Sequence, residues 1–298
     1  MTRLARLIPA ACALTVALAS AAAAVPAAGI SGAVEWDRMA ITAEISLDLA
    51  ASGLRLPAGR MQGEAMLAAE YLRLIRSAIL GIQVDSASSV ADLIARGEWS
   101  LTALERLAMQ ARTVPPAMTP ELDGLRARYT LDVGDLSAAF IRHVHPADVP
   151  RTLLPVATQA FTGVVIIAAD TLQIHGREGS ALVRPALFPR LWDDGMNLIF
   201  ERNMLEPGVA PMVRYFPRSS LFAGGPSGLS PELAAVVGER PLRIFAEGVF
   251  GEAPTDPVIS RDDALLIISS AENRALLSTG RVAVVVDDSV LRSPFAAR

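Results

Sequence analysis

Two stretches of the chain alternate apolar and polar residues with a period of two. In the first, Ile41, Ala43, Ile45, Leu47 and Leu49 share one phase, and Thr42, Glu44, Ser46 and Asp48 share the other. The second sets Leu125, Ala127, Tyr129, Leu131 and Val133 against Arg126, Arg128, Thr130 and Asp132. Each predicts a strand with one face in a core and one in water, and the two are expected to pair. Between them the period lengthens. Leu67, Tyr71, Leu74, Ile75, Ala78 and Ile79 fall on one helical stripe, which predicts a helix from Arg60 to Gly81 with the glycine as its stop. Ser88 or Ser89 and then Ser100 stand as N-caps of two shorter helices, ending near Arg96 and Arg112. Pro115, Pro116 and Pro120 predict a loop after them.

Beyond His145 alternation gives way to uninterrupted apolar runs. Phe161 to Asp170 and Arg281 to Asp287 are both rich in β-branched residues, and both end in a carboxylate. Such runs predict strands buried on both faces. Asp193, Asp194 and Gly195 lie between Ala186–Trp192 and Met196–Glu201 and predict a β-hairpin turn. Ser230, Pro231 and Glu232 supply an N-cap, a proline at the first helical position and an acidic first turn for a short helix to Gly238. A strand follows over Leu242 to Phe250, and Ser260 caps a helix to about Ser269 that Glu272 to Leu277 extends. The prolines at 146, 150 and 155 mark a domain boundary. The expected fold is α+β: a small α/β layer over residues 31–145, then a mainly β domain with short helices over residues 151–298.

Composition narrows the function. The net charge of −4 over 298 residues carries no block of one sign, so no nucleic-acid footprint is expected. All 27 basic residues are arginine, which excludes Schiff-base chemistry on lysine and the lysine of a phosphate-binding P-loop. Cys12 is the only cysteine. It lies in a segment where Arg3 and Arg6 precede an uncharged, alanine-rich stretch from Leu7 to Gly29, the pattern of a signal peptide over residues 1–28. Retention of that segment as an anchor, or lipidation of Cys12, are the alternatives. Cleavage leaves a mature chain without thiols, and so without disulfides or cysteine-based metal sites.

Candidate chemistry is sparse. His143 and His145 lie on one side of an extended segment with only Asp148 near in sequence, which suits surface histidines better than a metal site. His175 is isolated. Asp170, Asp193, Asp194 and Asp287 end strands or sit in turns. Brought together they would form a polar cluster able to hold a cation or work as an acid and base pair; kept apart they merely face water. Gly224 to Gly228 lacks the strand and helix that flank a phosphate-binding loop and reads as a connector. No serine sits in a nucleophile elbow. No catalytic residue, cofactor or metal is therefore expected.

Several blocks taken together resemble the LPP-type outer-membrane lipoprotein family, which is related to flagellar assembly protein T. They are the run from Phe161 to Asp170, Arg184 to Arg190, Trp192 to Gly195, Pro241 to Gly248, Asp256 to Ser260 with Asp262 to Ala264, and Arg281 to Asp287. The helix from Arg60 leading to Val84, Asp85, Ser86 and Val90 adds a further block, so the similarity spans about Trp36 to Asp287. Cys12 departs from the lipoprotein pattern, because the hydrophobic stretch continues after it. The resemblance implies an envelope protein with a structural, assembly or protein-binding role. It would be periplasmic or peripherally associated with the outer membrane, with envelope proteins or cell-wall material as partners. An exported hydrolase using the strand-end aspartates is the alternative.

Overall fold

The computed structural model describes residues 29–223 and 228–295. The expected signal peptide, Cys12 and most of the Gly224 to Gly228 connector lie outside the described residues.

In chain order the first half contains β1 (Gly29–Glu35), β2 (Ala40–Asp48), α1 (Gly59–Leu80), β3 (Gln83–Asp85), β4 (Ser88–Ser89), α2 (Val90–Ala95), α3 (Leu101–Ala108), β5 (Arg112–Met118), β6 (Gly124–Asp132) and α4 (Val133–Phe140). The second half contains β7 (Val164–Ala168), β8 (Leu172–Ile174), β9 (Ser180–Ala181), β10 (Leu191–Asp193), β11 (Leu198–Phe200), β12 (Arg214–Pro217), α5 (Pro231–Val237), β13 (Leu242–Phe250), β14 (Asp256–Ile259), α6 (Arg261–Ile268), α7 (Ala271–Ser278), β15 (Val282–Val286) and β16 (Arg292–Phe295). This is a mixed α+β fold whose C-terminal part is mainly β.

The alternating strands β2 and β6 pair antiparallel along their length, from Ala40 opposite Asp132 to Asp48 opposite Gly124. Their apolar phase faces α1, whose Leu67, Tyr71, Leu74, Ile75 and Ile79 are buried. Tyr71 stacks on Tyr129 of β6, with ring centroids 4.0 Å apart. The sheet is completed in the order β16-β1-β2-β6-β5, so the end of the chain returns to the first half. Gly32 in β1 faces Phe295 across that last pair, and the phenyl ring occupies the space where a β-carbon would be. Pro115 and Pro116 lie in β5, not in the expected loop. As an edge strand with a bulge between Val114 and Ala117, β5 does not need the missing N–H groups.

The second sheet has the order β11-β10-β14-β13-β7-β15-β12, with β8 attached to β13 and β9 attached to β8. Its centre is parallel: β7 lies between β13 and β15, and β12 follows β15. Parallel strands are covered on both faces, which is why β7 and β15 are near-continuous aliphatic runs. All five residues of β15 are buried. Val165, Ala283 and Val285 pack with Leu233 and Val237 of α5 on one face. On the other, Val164, Ile166, Val282, Val284 and Val286 join Ala264, Ile267, Leu276 and Leu277 of α6 and α7. The expected single helix after Ser260 is two helices, because Ser270 caps α7 in its turn through Asn273 N at 3.1 Å.

The halves share a core. One apolar cluster runs from Val34 of β1 and Trp36 in the turn after it to Val284 of β15 and Leu291 beyond, and Trp36 meets Tyr215 of β12 edge to face at 5.6 Å. The proline-rich segment between the halves lies against α6 and α7. There the buried Asn273 donates to Thr158 Oγ1 and to the carbonyls of Gln159 and Leu266, and accepts from Phe161 N.

Candidate functional site

The four strand-end aspartates do not converge. β7, β12 and β15 are parallel, so the residues that follow them emerge at one edge of the sheet. There Arg218 pairs with Asp170. Asp287 lies within the same field, but its main partners are the hydroxyl and backbone N–H of Ser289, which hold its carboxyl below the usual carboxylate range ahead of the pull of Arg218. β14 is antiparallel to β13 and parallel to β10, so β10 ends at the opposite edge from β7. Asp193 is there, buried, accepting 2.7 Å hydrogen bonds from the backbone N–H and the side-chain amide of Asn197 in the β10–β11 turn. Asp194 is exposed on that turn. Among the described residues no three His, Cys, Asp or Glu side chains group so as to hold a metal ion.

The histidines are also apart from any ligand set. His143 Nε2–H donates to the carbonyl of Leu205 at 2.7 Å, tying the segment after α4 to the second half. His145 is exposed. His175 uses its backbone N–H on the carbonyl of Val249.

A buried carboxylate absent from the sequence candidates organises the junction of the halves. Asp256, the first residue of β14, is fully buried. It accepts from Arg190 N at 3.1 Å, Trp192 Nε1 at 3.3 Å and Thr255 Oγ1 at 2.9 Å, and it hydrogen-bonds the hydroxyl of Ser86. Burial pushes its carboxyl above the usual range, and the four donors oppose that rise. Ser86 lies between β3 and β4, a hairpin of the first half inserted into the second. Leu187 N and Phe188 N donate to the carbonyls of Gln83 and Val84, and Ala253 N to that of Ser86. Gly251, at φ +114°, makes room: a β-carbon there would collide with Ser86 Cβ and sit 2.7 Å from the carbonyl of Ala253.

Beside this joint run two adjoining clefts, of about 900 and 530 Å³. Gln83, Arg184 and Val290 line both. The larger is polar, with Asp92, Arg96 and Glu252 on its walls. Asp92 is committed to the capping box of α2, and Arg96 pairs with Glu98. The smaller has an apolar floor of Val34, Trp36, Ile82 and Phe295, and its charged residues are Arg184 and Arg292. None of these features was visible in the sequence, because Gln83, Arg184 and Arg292 follow no periodic or motif rule and meet only when the hairpin and β16 dock.

No curated protein matches the chain. Two family models do. They replace the resemblance to LPP-type lipoproteins and flagellar assembly protein T, which rested on short apolar runs and turn residues that recur wherever buried strands meet tight turns. Residues 27–139 match the N-terminal domain of Treponema pallidum Tp0624, and residues 163–288 match its second domain. The chain is therefore similar, in the same order, to two successive Tp0624 domains.

Proposed function

We propose that this chain is an exported cell-envelope protein with a structural, assembly or protein-binding role and no chemistry of its own. It would be periplasmic or peripherally associated with the outer membrane, and its partners would be envelope proteins or cell-wall material. The observation that carries this reading is the commitment of the strand-end carboxylates. Asp170 pairs with Arg218, Asp287 closes the turn after β15, and Asp193 closes a turn at the opposite sheet edge. A carboxylate- or metal-dependent hydrolase would need these groups to share a site. What the halves build jointly is a braced joint with an open groove beside it, an arrangement suited to holding a partner. The arginine-rich N-terminal residues followed by an uncharged alanine-rich stretch support export.

The test is affinity capture from envelope fractions with the mature chain, alongside an Asp170→Asn/Asp287→Asn double variant. A discrete envelope partner retained equally by both proteins is expected. Hydrolytic turnover in the wild-type chain, lost in the double variant, would overturn the reading.

A further inference from the structure

We propose that the exposed Asp194–Gly195 step is a site of spontaneous isoaspartate formation, and that the fold protects the chain's other Asp–Gly step, Asp123–Gly124, from the same reaction. This is independent of the binding reading above, because the chain acts on itself without a partner. The backbone nitrogen of the residue after an aspartate attacks the aspartate Cγ. An N–C bond forms, the Cγ–OH bond breaks, and the amide proton leaves with the hydroxyl as water. Water then opens the five-membered succinimide. Opening at the α-carbonyl leaves the chain running through the β-carboxyl group, with one extra carbon in the backbone and the α-carboxylate as a side group. Glycine is the neighbour that permits this best, since no β-carbon hinders the swing of the peptide that brings its nitrogen to Cγ.

The two steps are the same dipeptide and differ in what holds them. At Asp123–Gly124 both reacting groups are engaged. Gly124 N–H donates to Thr119 Oγ1 at 3.0 Å, and the Asp123 carboxylate accepts from that same hydroxyl at 2.8 Å. The Asp123 carbonyl accepts from Leu49 N at 3.0 Å, and Gly124 begins β6 opposite Asp48. Its nitrogen cannot turn to Cγ without breaking these bonds. Asp194 and Gly195 are instead the two central residues of the β10–β11 turn, closed by Met196 N on the carbonyl of Asp193 at 2.9 Å. Both are exposed, and among the described residues neither the Asp194 carboxylate nor Gly195 N–H has a hydrogen-bond partner. The consequence falls on the hairpin. Asp193 holds Asn197 N at 2.7 Å across the turn, and the preceding Trp192 donates to Asp256 at the joint of the halves. An extra backbone carbon beside Asp193 disturbs both, so the aged chain is expected to melt below the fresh one.

The test stores the full chain, folded and in parallel unfolded in urea, for several weeks at mildly acidic pH. Each sample is then digested with an Asp-specific endoprotease, which does not cut at isoaspartate, and mass spectrometry counts the uncut peptide at each step. In the unfolded chain positions 194 and 123 are expected to isomerise alike. In the folded chain position 194 is expected to exceed position 123 by about tenfold or more, the scale of the hydrogen bonds that must break first at 123. Asp194→Glu, whose ring closure would need a six-membered imide, should keep its melting temperature on storage while the wild-type chain loses part of its own. Equal isomerisation at both positions of the folded chain, isomerisation confined to 123, a folded chain unmodified at 194 while the unfolded chain reacts at both, or an Asp194→Glu chain that loses as much on storage as wild type would each overturn the proposal.

Discussion

Replacing Asp256 with asparagine tests the joint between the halves. The carboxylate is fully buried, and Arg190 N–H and Trp192 Nε1–H are donors fixed by their frames, whereas the Ser86 and Thr255 hydroxyls can rotate. An asparagine oxygen in the place of Oδ1 keeps the Arg190 contact. Its NH2 then faces the indole N–H, leaving a buried donor unpaired at a cost of about 1–3 kcal/mol. Loss of the buried charge returns part of that, so about 1–2 kcal/mol is expected, a melting shift of roughly 2–8 °C for a domain of this size. Because burial raises the carboxyl of Asp256 in the folded state, its contribution is fully present below the ordinary carboxylate range and declines as pH rises through the raised value. The amide of the Asp256→Asn variant does not titrate, so the stability gap between wild type and variant should be wider at pH 4 than at pH 7. Urea unfolding at both pH values measures it. Adding Ser86→Ala completes a double-mutant cycle between the halves, with a coupling of about 0.5–3 kcal/mol expected for groups in one hydrogen-bond network. A variant as stable as wild type, a gap that widens with pH, or zero coupling to Ser86 would refute the reasoning.

Other outcomes follow from the same structure. Val285→Asp places a carboxylate in a strand buried on both faces and should abolish soluble folded protein. Phe245→Asp, on a strand residue that is 67% exposed, should melt within a few degrees of wild type. Gly251→Ala should destabilise by several times the roughly 1 kcal/mol that strain at a positive φ alone costs, read by thermal melting, because the new methyl collides with Ser86. Mass spectrometry of the native protein should give a chain starting between Val25 and Ile30; a mass retaining residues 1–24, or a lipid on Cys12, would count against cleavage.

What was legible in the sequence was whatever one element decides alone. The two alternating strands, the α1 stripe and the serine caps at 89, 100, 230 and 260 are period and capping effects, and they appear where expected. The runs that became β7 and β15 were legible as buried strands, but their side-by-side pairing was not, since parallel neighbours 118 residues apart leave no local mark. β5 was hidden because its prolines argue against a strand except at an edge, and edges are a property of the sheet. The return of β16 to β1 follows from no local signal. The candidate aspartates were legible as strand ends, yet their fate depended on strand direction: β10 runs against β7, which sends Asp193 to the far edge. Neither Asp256 nor Gln83 has a role legible in the sequence, because a single polar residue beside an apolar run takes its meaning from its tertiary neighbours.

The binding role is tested most directly by photocrosslinking in the native cell, with benzoylphenylalanine placed at Arg184, at Arg292 and, as a control, at Arg243 on the exposed side of β13. The account predicts a discrete crosslink to an envelope protein from positions 184 and 292, beside the groove at the joint, and none from 243. Crosslinks distributed equally over all three positions, or a crosslink confined to 243, would contradict it.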